Sequence, residues 1–278
     1  MRLFVFLISF CVAFIMAHLF FADSNNVKIA AYVRVKDEIN TVIPCLDSID
    51  GLFDKIVIIH SNEPDDGSVD AMNTWCKWRL NCHIYEYPYA VIPSHQGNQK
   101  KIKYENSLAA YNNFGLSKFE PEEYVAKIDA DQIYIHPHLK QTLDFIRSQD
   151  KINDKISYGI KGYNTFIYKG KLVKFEPNKM NGGRDSFIIK RKYMERFNNA
   201  IHYEKLKNTS DISYRVLSAP SHWFHFMKNL KTKGNIRQND DVNINETAPL
   251  SNNEKQEFEQ YIRPLLIKHN SSYKNISL

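Results

Sequence analysis

The sequence predicts an α/β fold, a mostly parallel sheet flanked by helices, behind an apolar N-terminal segment. Three observations carry that expectation. Short apolar runs alternate with amphipathic stretches after Asn26, the pattern of strands joined by helical crossovers. Polar clusters sit at the ends of the apolar runs, where parallel sheets bind ligands. Leu3–Phe21 is a 19-residue run in which only Ser9 and His18 are not apolar, just long enough to cross a bilayer as a helix.

Taken in order, Lys28–Val35 (KIAAYVRV) reads as a strand. Glu38–Leu52 reads as a helix with Ile39, Val42, Ile43, Leu46 and Ile49 on one face. Lys55–His60 (KIVIIH) has the continuous apolar centre of a buried parallel strand. The turn-rich Ser61–Ser68 can cap a helix from Val69 to Trp78. A strand at His83–Tyr87, a helix at Ile102–Phe114 and a strand at Tyr124–Ile128 follow, the last ending in Asp129-Ala130-Asp131. Beyond these, Leu139–Ser148 and Tyr193–Ala200 read as helices, and Ile156–Tyr168, Leu172–Phe175 and Ser186–Lys190 as strands. A charged helix over Glu254–Ile267 closes the chain. No internal repeat or linker cuts the globular part. Its expected organisation is residues 1–26 as anchor or signal segment and 27–278 as one domain, taken as a first half, 27–135, and a second half with the tail, 136–278.

Composition narrows the class. The chain has 278 residues, 43% hydrophobic and 24% charged, with 10 Gly and 10 Pro, which excludes collagen-like and largely disordered chains. A net charge of +6 suits an acidic ligand or an anionic membrane surface and is thin for a nucleic-acid binder. No zinc-finger or RNA-binding signature is present, so no nucleic-acid partner is expected. The apolar segment has three readings: uncleaved membrane anchor, signal peptide and buried helix, of which the anchor fits best. Cys76 and Cys82 read as two small half-buried residues, with pairing the alternative, and no CxxC spacing supports a metal site.

The chemistry-bearing clusters begin with Lys127-Ile128-Asp129-Ala130-Asp131-Gln132. Two carboxylates one small residue apart, directly after an apolar strand, suit Mn²⁺ or Mg²⁺, which take oxygen ligands and keep positions open for phosphate. In Glu63-Pro64-Asp65-Asp66-Gly67-Ser68, a carboxylate either receives a nucleobase or ribose, or caps a helix, or both. Arg34, in Arg34-Val35-Lys36-Asp37-Glu38, meets a phosphate or an internal acid, or pairs with Asp37 or Glu38. Lys100, Lys101 and Lys103 can attract a diphosphate, and Lys100 reads better as part of a solvated basic face. In His222-Trp223-Phe224-His225, followed by Lys228, a histidine can complete a metal shell and the lysine can neutralise a departing diphosphate.

The series YVRVKDE, EPDDGS, YEYPY, KIDADQIY and HWFHFMK resembles the GT-A nucleotide-sugar glycosyltransferases. Within them it is most similar to bacterial lipooligosaccharide β-1,4-N-acetylgalactosaminyltransferases, which carry RVKNE, DGS, a KYPYE-like segment, KIDVDQIY and a late His-Phe element. The likeness runs from about Lys28 to Lys228. Asp37 stands where that family has Asn, Ala130 where it has Val, and the stretch from about Gln149 to Met180 differs, which concerns the acceptor site and the linkage.

The resemblance implies a UDP-sugar donor, a glycan or glycolipid acceptor such as lipooligosaccharide, and a membrane location. It implies a divalent metal, Mn²⁺ or Mg²⁺, on Asp131 with Asp129 nearby; from the late His-Trp-Phe-His segment His225 is taken as the histidine completing the set, with His222 the alternative. Arg34, Asp37, Asp66, Lys103, Asp129 and Lys228 are the implied donor-binding residues. An inverting displacement follows, with Asp185 of the NGGRDSF loop as candidate base and Glu176, His222 and Glu204 as competitors. A bacterial inner-membrane enzyme with its domain on the cytoplasmic face is expected. Two rivals are a nucleotidyltransferase, which would normally have a glycine-rich loop after the first strand, and a catalytically silent sugar-binding or scaffold protein.

Overall fold

The computed structural model describes residues 27–63, 65–92, 99–168, 170–175, 186–200, 204–209, 211–217, 220–226 and 247–278. Its centre is a seven-stranded sheet in the order β12-β6-β9-β4-β1-β2-β3. The strands are β1 (Ile29–Val35), β2 (Lys55–Ser61), β3 (Cys82–Tyr87), β4 (Tyr124–Asp129), β6 (Ile156–Ile160), β9 (Phe187–Lys190) and β12 (Ser213–Leu217). All run parallel except β9, which is antiparallel to β4 and β6.

Both faces of the central strand β1 are covered, so it carries almost no exposed side chain. Ala31, Val33 and Val35 face a core shared with α1 (Val42–Ile49), α2 (Ser68–Cys76) and α4 (His136–Gln149). Ala30 and Tyr32 face a second core, built with α3 (Leu108–Leu116) and the two-stranded β10 (Met194–Asn199) and β11 (Glu204–Asn208). This is the alternation that a period-two strand between two layers requires.

A five-stranded sheet, β14-β8-β7-β13-β5, stands beside the first. It comprises β5 (Gln132–Tyr134), β7 (Tyr163–Tyr168), β8 (Lys171–Phe175), β13 (Trp223–Phe226) and β14 (Thr247–Pro249). A C-terminal helix covers its core through Phe258, Ile262 and Leu266. That helix runs as α5 (Asn252–Glu257), a π turn (Phe258–Ile262) and α6 (Arg263–His269). Ser251 and Glu254 close it with a reciprocal capping box. Residues after 135 complete the first sheet through β6, β9 and β12 and also build the second, so the two expected halves share a sheet.

Three elements differ from their sequence reading. Tyr193–Ala200 was expected as a helix, but the segment is β10, paired with β11, and its apolar Met194 and Phe197 stand three apart. A bulge at Glu195 between Met194 and Arg196 shifts the register, so both apolar residues are buried in one core despite the odd spacing. Ile156–Tyr168 is two strands in different sheets, divided at Lys161-Gly162. The helix expected over Ile102–Phe114 begins only at Leu108, after two short 3₁₀ turns. Ser107 caps it, its Oγ accepting from the Ala110 amide.

The cysteine reading is corrected as well: Cys76 and Cys82 form a disulfide, with Cα atoms 5.4 Å apart. The turn between α2 and β3 brings them together, with Arg79 N–H donating to Cys76 O and Cys82 N–H to Arg79 O. The apolar segment at residues 1–26 lies outside the described residues. Among those described, no helix is long and apolar enough to cross a membrane.

Gly162 marks where the two sheets meet. A Cβ there would overlap the ring and the backbone carbonyl of Trp223, and backbone cannot move aside as a flexible side chain can. Gly162→Ala is therefore expected to cost about 3 kcal/mol, read as a lower denaturant midpoint. Gly170→Ala, with open space around its Cβ but a left-handed backbone at φ 76°, should cost about 1 kcal/mol.

Candidate active site

The carboxyl ends of β1 and β4 lie side by side, in a register that pairs Arg34 with Asp129. Even-numbered side chains of β1 and odd-numbered ones of β4 share one face, so Tyr32, Arg34, Lys127 and Asp129 form a cluster beneath α3 and β11. Arg34 donates from Nε to Asp129 Oδ1 at 2.7 Å and from Nη2 to the same oxygen. Its Nη1 donates to Glu204 Oε1 at 2.5 Å. Lys127 Nζ lies 3.3 Å from Asp129 Oδ2. The Asn112 amide donates to Glu204 Oε1 at 3.1 Å, and Tyr32 Oη donates to Asn112 Oδ1 at 2.9 Å.

Two cations thus face two anions. Burial opposes charge at each site, and the partners outweigh it. Burial pushes the Asp129 and Glu204 carboxyls up, but Arg34, helped by Lys127, holds both below the ordinary carboxylate range. Burial likewise lowers the Arg34 guanidinium, while Asp129 and Glu204 drive it well above its ordinary value. The sequence alternatives for Arg34 resolve here: it meets internal acids, not Asp37 or Glu38.

Asp131 occupies a different setting. It follows β4 in the turn that leads into β5, which pairs antiparallel with β13 so that His225 lies opposite Gln132. Phe226 N–H donates to Asp131 O at 2.8 Å. His225 Nε2 then lies 3.1 Å from Asp131 Oδ2, while His225 Nδ1 lies 2.8 Å from Asn164 Oδ1 on β7. An amide oxygen only accepts, so Nδ1 carries a proton and Nε2 is the nitrogen turned to the acid.

His222 is excluded from such a role. Its buried ring bonds Thr142 Oγ1 through Nε2 at 2.7 Å and approaches Lys161 O through Nδ1 at 3.2 Å. Burial depresses its pKa to about 4.

At the carboxyl ends of β1 and β2 a pocket is lined by Val35, Lys36, Asp37, Ser61, Glu63 and Asp65, among others. Glu63 Oε2 gathers its walls, accepting from Lys36 Nζ at 2.8 Å, Ser61 Oγ at 2.9 Å and Val91 N–H at 3.0 Å. Asp37 is exposed with φ 55°, a left-handed backbone that Asp and Asn tolerate better than most residues. Asp66 stitches two loops, with Oδ2 accepting from Ile39 N–H at 3.0 Å and Oδ1 from Ser68 N–H at 3.2 Å. The adjacent Asp65 accepts from Gly67 N–H at 2.8 Å.

Lys103 is exposed at the edge of a 3₁₀ turn, and among the described contacts none joins it to the acidic pair. Asp185, Lys228 and Glu176 lie outside the described residues. Ser186, covalently next to Asp185, is fully buried and held by Gln132, whose Nε2 donates to Ser186 Oγ at 3.1 Å. Three contributors were missed by the sequence reading: Asn164, which orients His225; Asn112; and Glu204 as a clamp on Arg34. Only Lys127, a charge inside an apolar strand, left a visible sign.

The chain belongs to the β-1,4-N-acetylgalactosaminyltransferase (CgtA) family, whose model matches residues 22–277. No curated protein matches it in sequence. Among solved structures, Staphylococcus aureus TarS 1–349 is 15% identical, with 73% of this chain and 62% of that one covered and a TM-score of 0.45. Its complex with UDP-GlcNAc is 16% identical, covers 87% and 66%, and has a TM-score of 0.48. The chain thus spans less than two thirds of the length of these two structures. The Mycobacterium tuberculosis glucosyl-3-phosphoglycerate synthase complex with Mn²⁺ and UDP is 13% identical, covers 90% and 82%, and has a TM-score of 0.38.

His222 gives a pH prediction. Its pKa is about 4 in the fold against about 6.5 in an unfolded chain. The folded state therefore binds the proton more weakly, and stability is full above pH ~6.5 and declines as pH falls toward ~4. Between pH 7.5 and 5 the loss from this group should be about 2 kcal/mol. Denaturant titrations of wild type and His222→Gln at the two pH values check it: the variant should show a correspondingly smaller loss.

Proposed function

We propose that this chain is a glycosyltransferase that moves N-acetylgalactosamine from UDP-GalNAc to a hydroxyl of a glycan or glycolipid, with inversion, using Mn²⁺ or Mg²⁺. The observation that carries the reading is the pairing of His225 Nε2 with Asp131 Oδ2 at 3.1 Å, beside the Arg34–Asp129 cluster. Among the described residues no group of three His, Cys, Asp or Glu gathers around one point. The pair itself fits a metal. Neighbouring ligand atoms of an octahedral ion with bonds of about 2.1 Å are about 3 Å apart. Carboxylate and imidazole also form a donor set that Mn²⁺ accepts. When bound, the ion supplies Lewis-acid stabilisation of the diphosphate leaving group.

The chain's own residues do the rest. Asp131 and His225 hold the metal, His225 oriented by Asn164. Asp129, already bonded to Arg34 and Lys127, stays charged and presents an acceptor edge toward the donor's ribose or sugar. The pocket beside Asp37 and Asp65 takes the nucleoside, with Asp66 fixing its wall. Lys103 and Lys228 serve the diphosphate. A β-linked product from an α-linked UDP-sugar requires one displacement with inversion, and so a base on the face opposite UDP. Asp185 is assigned that role. It follows Gly182 and Gly183 and is one residue from Ser186, which Gln132 ties to the acidic turn. Glu204 is engaged by Arg34 and His222 is buried, which removes two competitors.

The membrane reading is part of the same proposal: Leu3–Phe21 anchors the chain in a bacterial inner membrane with the domain on the cytoplasmic face. Arg2 and the Cys76–Cys82 disulfide pull toward the other side. Donor supply is the stronger constraint, because a UDP-sugar does not cross a bilayer unaided.

Asp131→Asn should lower transfer on the order of a thousandfold in a folded protein and weaken Mn²⁺ binding read by electron paramagnetic resonance. Normal turnover, or full activity in excess EDTA, would overturn the metal assignment. Asp185→Asn should reduce turnover about a hundredfold with UDP-GalNAc binding little changed. Collapse of donor binding alone would move Asp185 to the sugar pocket.

A further inference from the structure

The end of the sheet opposite the active site carries the most exposed large apolar side chains among the described residues. Between Cys76 and Cys82, Trp78 is 84% and Leu80 98% exposed. Ile152, in the connection from α4 to β6, is 76% exposed. Strand polarity places all three at the same end of the sheet, Trp78 and Leu80 ahead of β3 and Ile152 ahead of β6, five strands away. β1, β2 and β3 are parallel, with Ile56 in register with both Ala31 and Cys82. The 77–81 loop therefore lies at the amino edge of the sheet, where the chain enters β1 at Val27-Lys28. β6 and β4 both run antiparallel to β9 and so start at the same edge.

The 77–81 loop is built to hold its side chains outward. Arg79 turns inward, stacking 3.8 Å from the Trp75 ring and bonding Asp50 through Nη2 at 2.8 Å. The disulfide closes the loop base, leaving Trp78 and Leu80 at the tip with Lys77 beside the Trp78 ring. Lys77 beside this loop and Lys28, where the chain enters β1, are exposed at the same end of the sheet. Tryptophan with an apolar neighbour and a lysine flank is the composition of membrane-interface anchors.

We infer that this edge, led by Trp78 and Leu80, inserts into the headgroup region of an anionic bilayer and holds the domain upright on the membrane. Two features select a lipid surface as occupant. The 19-residue apolar run Leu3–Phe21 ends only a few residues before the chain enters the sheet at this very edge, so an anchored chain brings the edge to the bilayer. The exposed basic side chains match anionic headgroups. The inference rests on the anchor reading of Leu3–Phe21 and not on the donor or the metal.

The three tryptophans make it testable, since Trp75 and Trp223 are buried and Trp78 is exposed. The full chain is reconstituted into phosphatidylethanolamine–phosphatidylglycerol vesicles, with and without bromine on the acyl chains near the headgroup. Bromolipid should quench wild-type tryptophan emission at least twofold more than that of Trp78→Phe, and Trp78 should be shielded from acrylamide. Lys77→Glu should weaken the quenching in anionic vesicles and leave it unchanged in phosphatidylcholine.

Emission equally open to acrylamide with and without vesicles would overturn the inference. So would shielding from both quenchers, which would mean that a protein, or a second copy of the chain, covers the loop. Alkaline carbonate extraction separates the two readings. Loss of the chain from the vesicles sinks the anchor, whereas a retained chain without quenching sinks the lipid-facing loop alone. Donor hydrolysis should be the same in wild type and Trp78→Ser/Leu80→Ser.

Discussion

The register of β1 against β4 is the constraint on which the rest of the site depends. It sets Arg34 directly beside Asp129, and two like layers could not bury that face without a counter-cation for the acid. Lys127 and Glu204 complete a neutral set of four charges. Removing any one member leaves a partly buried charge uncompensated, a loss of about 3 kcal/mol or more. This cluster also ties the second layer to the sheet. Glu204 belongs to β11 and Asn112 to α3, so the placement of both elements is coupled to the state of Asp129.

Asp129 and Asp131 are near in sequence but are given different electrostatic tasks. Asp129 is the last residue of β4, and its side chain points into the layer that holds Arg34 and Lys127. Asp131 lies past the strand, where the chain leaves one sheet for the other, and meets His225 from β13. The small Ala130 between them is buried in the opposite core. The first acid is thus fixed as a charge by the protein's own cations. The second meets His225, whose other ring nitrogen is held by Asn164.

Much of the fold was legible because the parallel strands announce themselves. Lys28–Val35, Lys55–His60 and Tyr124–Ile128 are apolar on both faces, and their observed bounds differ from the expected ones by a residue. The acidic turn was legible for the same reason, as polarity at the end of a buried run. Legibility failed where the determining partner is far along the chain. Arg34 and Glu204 are 170 residues apart, and nothing in the local sequence of either shows the bond. His225 was singled out among aromatic residues, but its orientation depends on Asn164, which reaches it only through the pairing of β13 with β7. At Met194–Asn199 the expected helix is a strand, and the bulge between Met194 and Arg196 leaves its two buried apolar residues three apart.

The direction of the strands also bears on what acceptor can be used. The chain enters β1 at one edge of the sheet, while Asp129 and Asp131 lie at the other. Seven strand residues separate the two by about 20 Å. A chain tethered through residues ahead of β1 therefore carries its chemistry away from the bilayer and not against it. On the proposed reading, a hydroxyl on the sugar nearest a lipid head would lie too low to reach the acidic turn. A hydroxyl several sugars out along a glycan would stand at the right height. The same geometry asks little of the anchor beyond orientation, because neither the pocket beside Asp37 nor the Asp131–His225 pair draws any atom from the membrane-facing edge. On that reading, height above the membrane would act as a filter on the acceptor, set by strand length and independent of the residues that recognise the sugar.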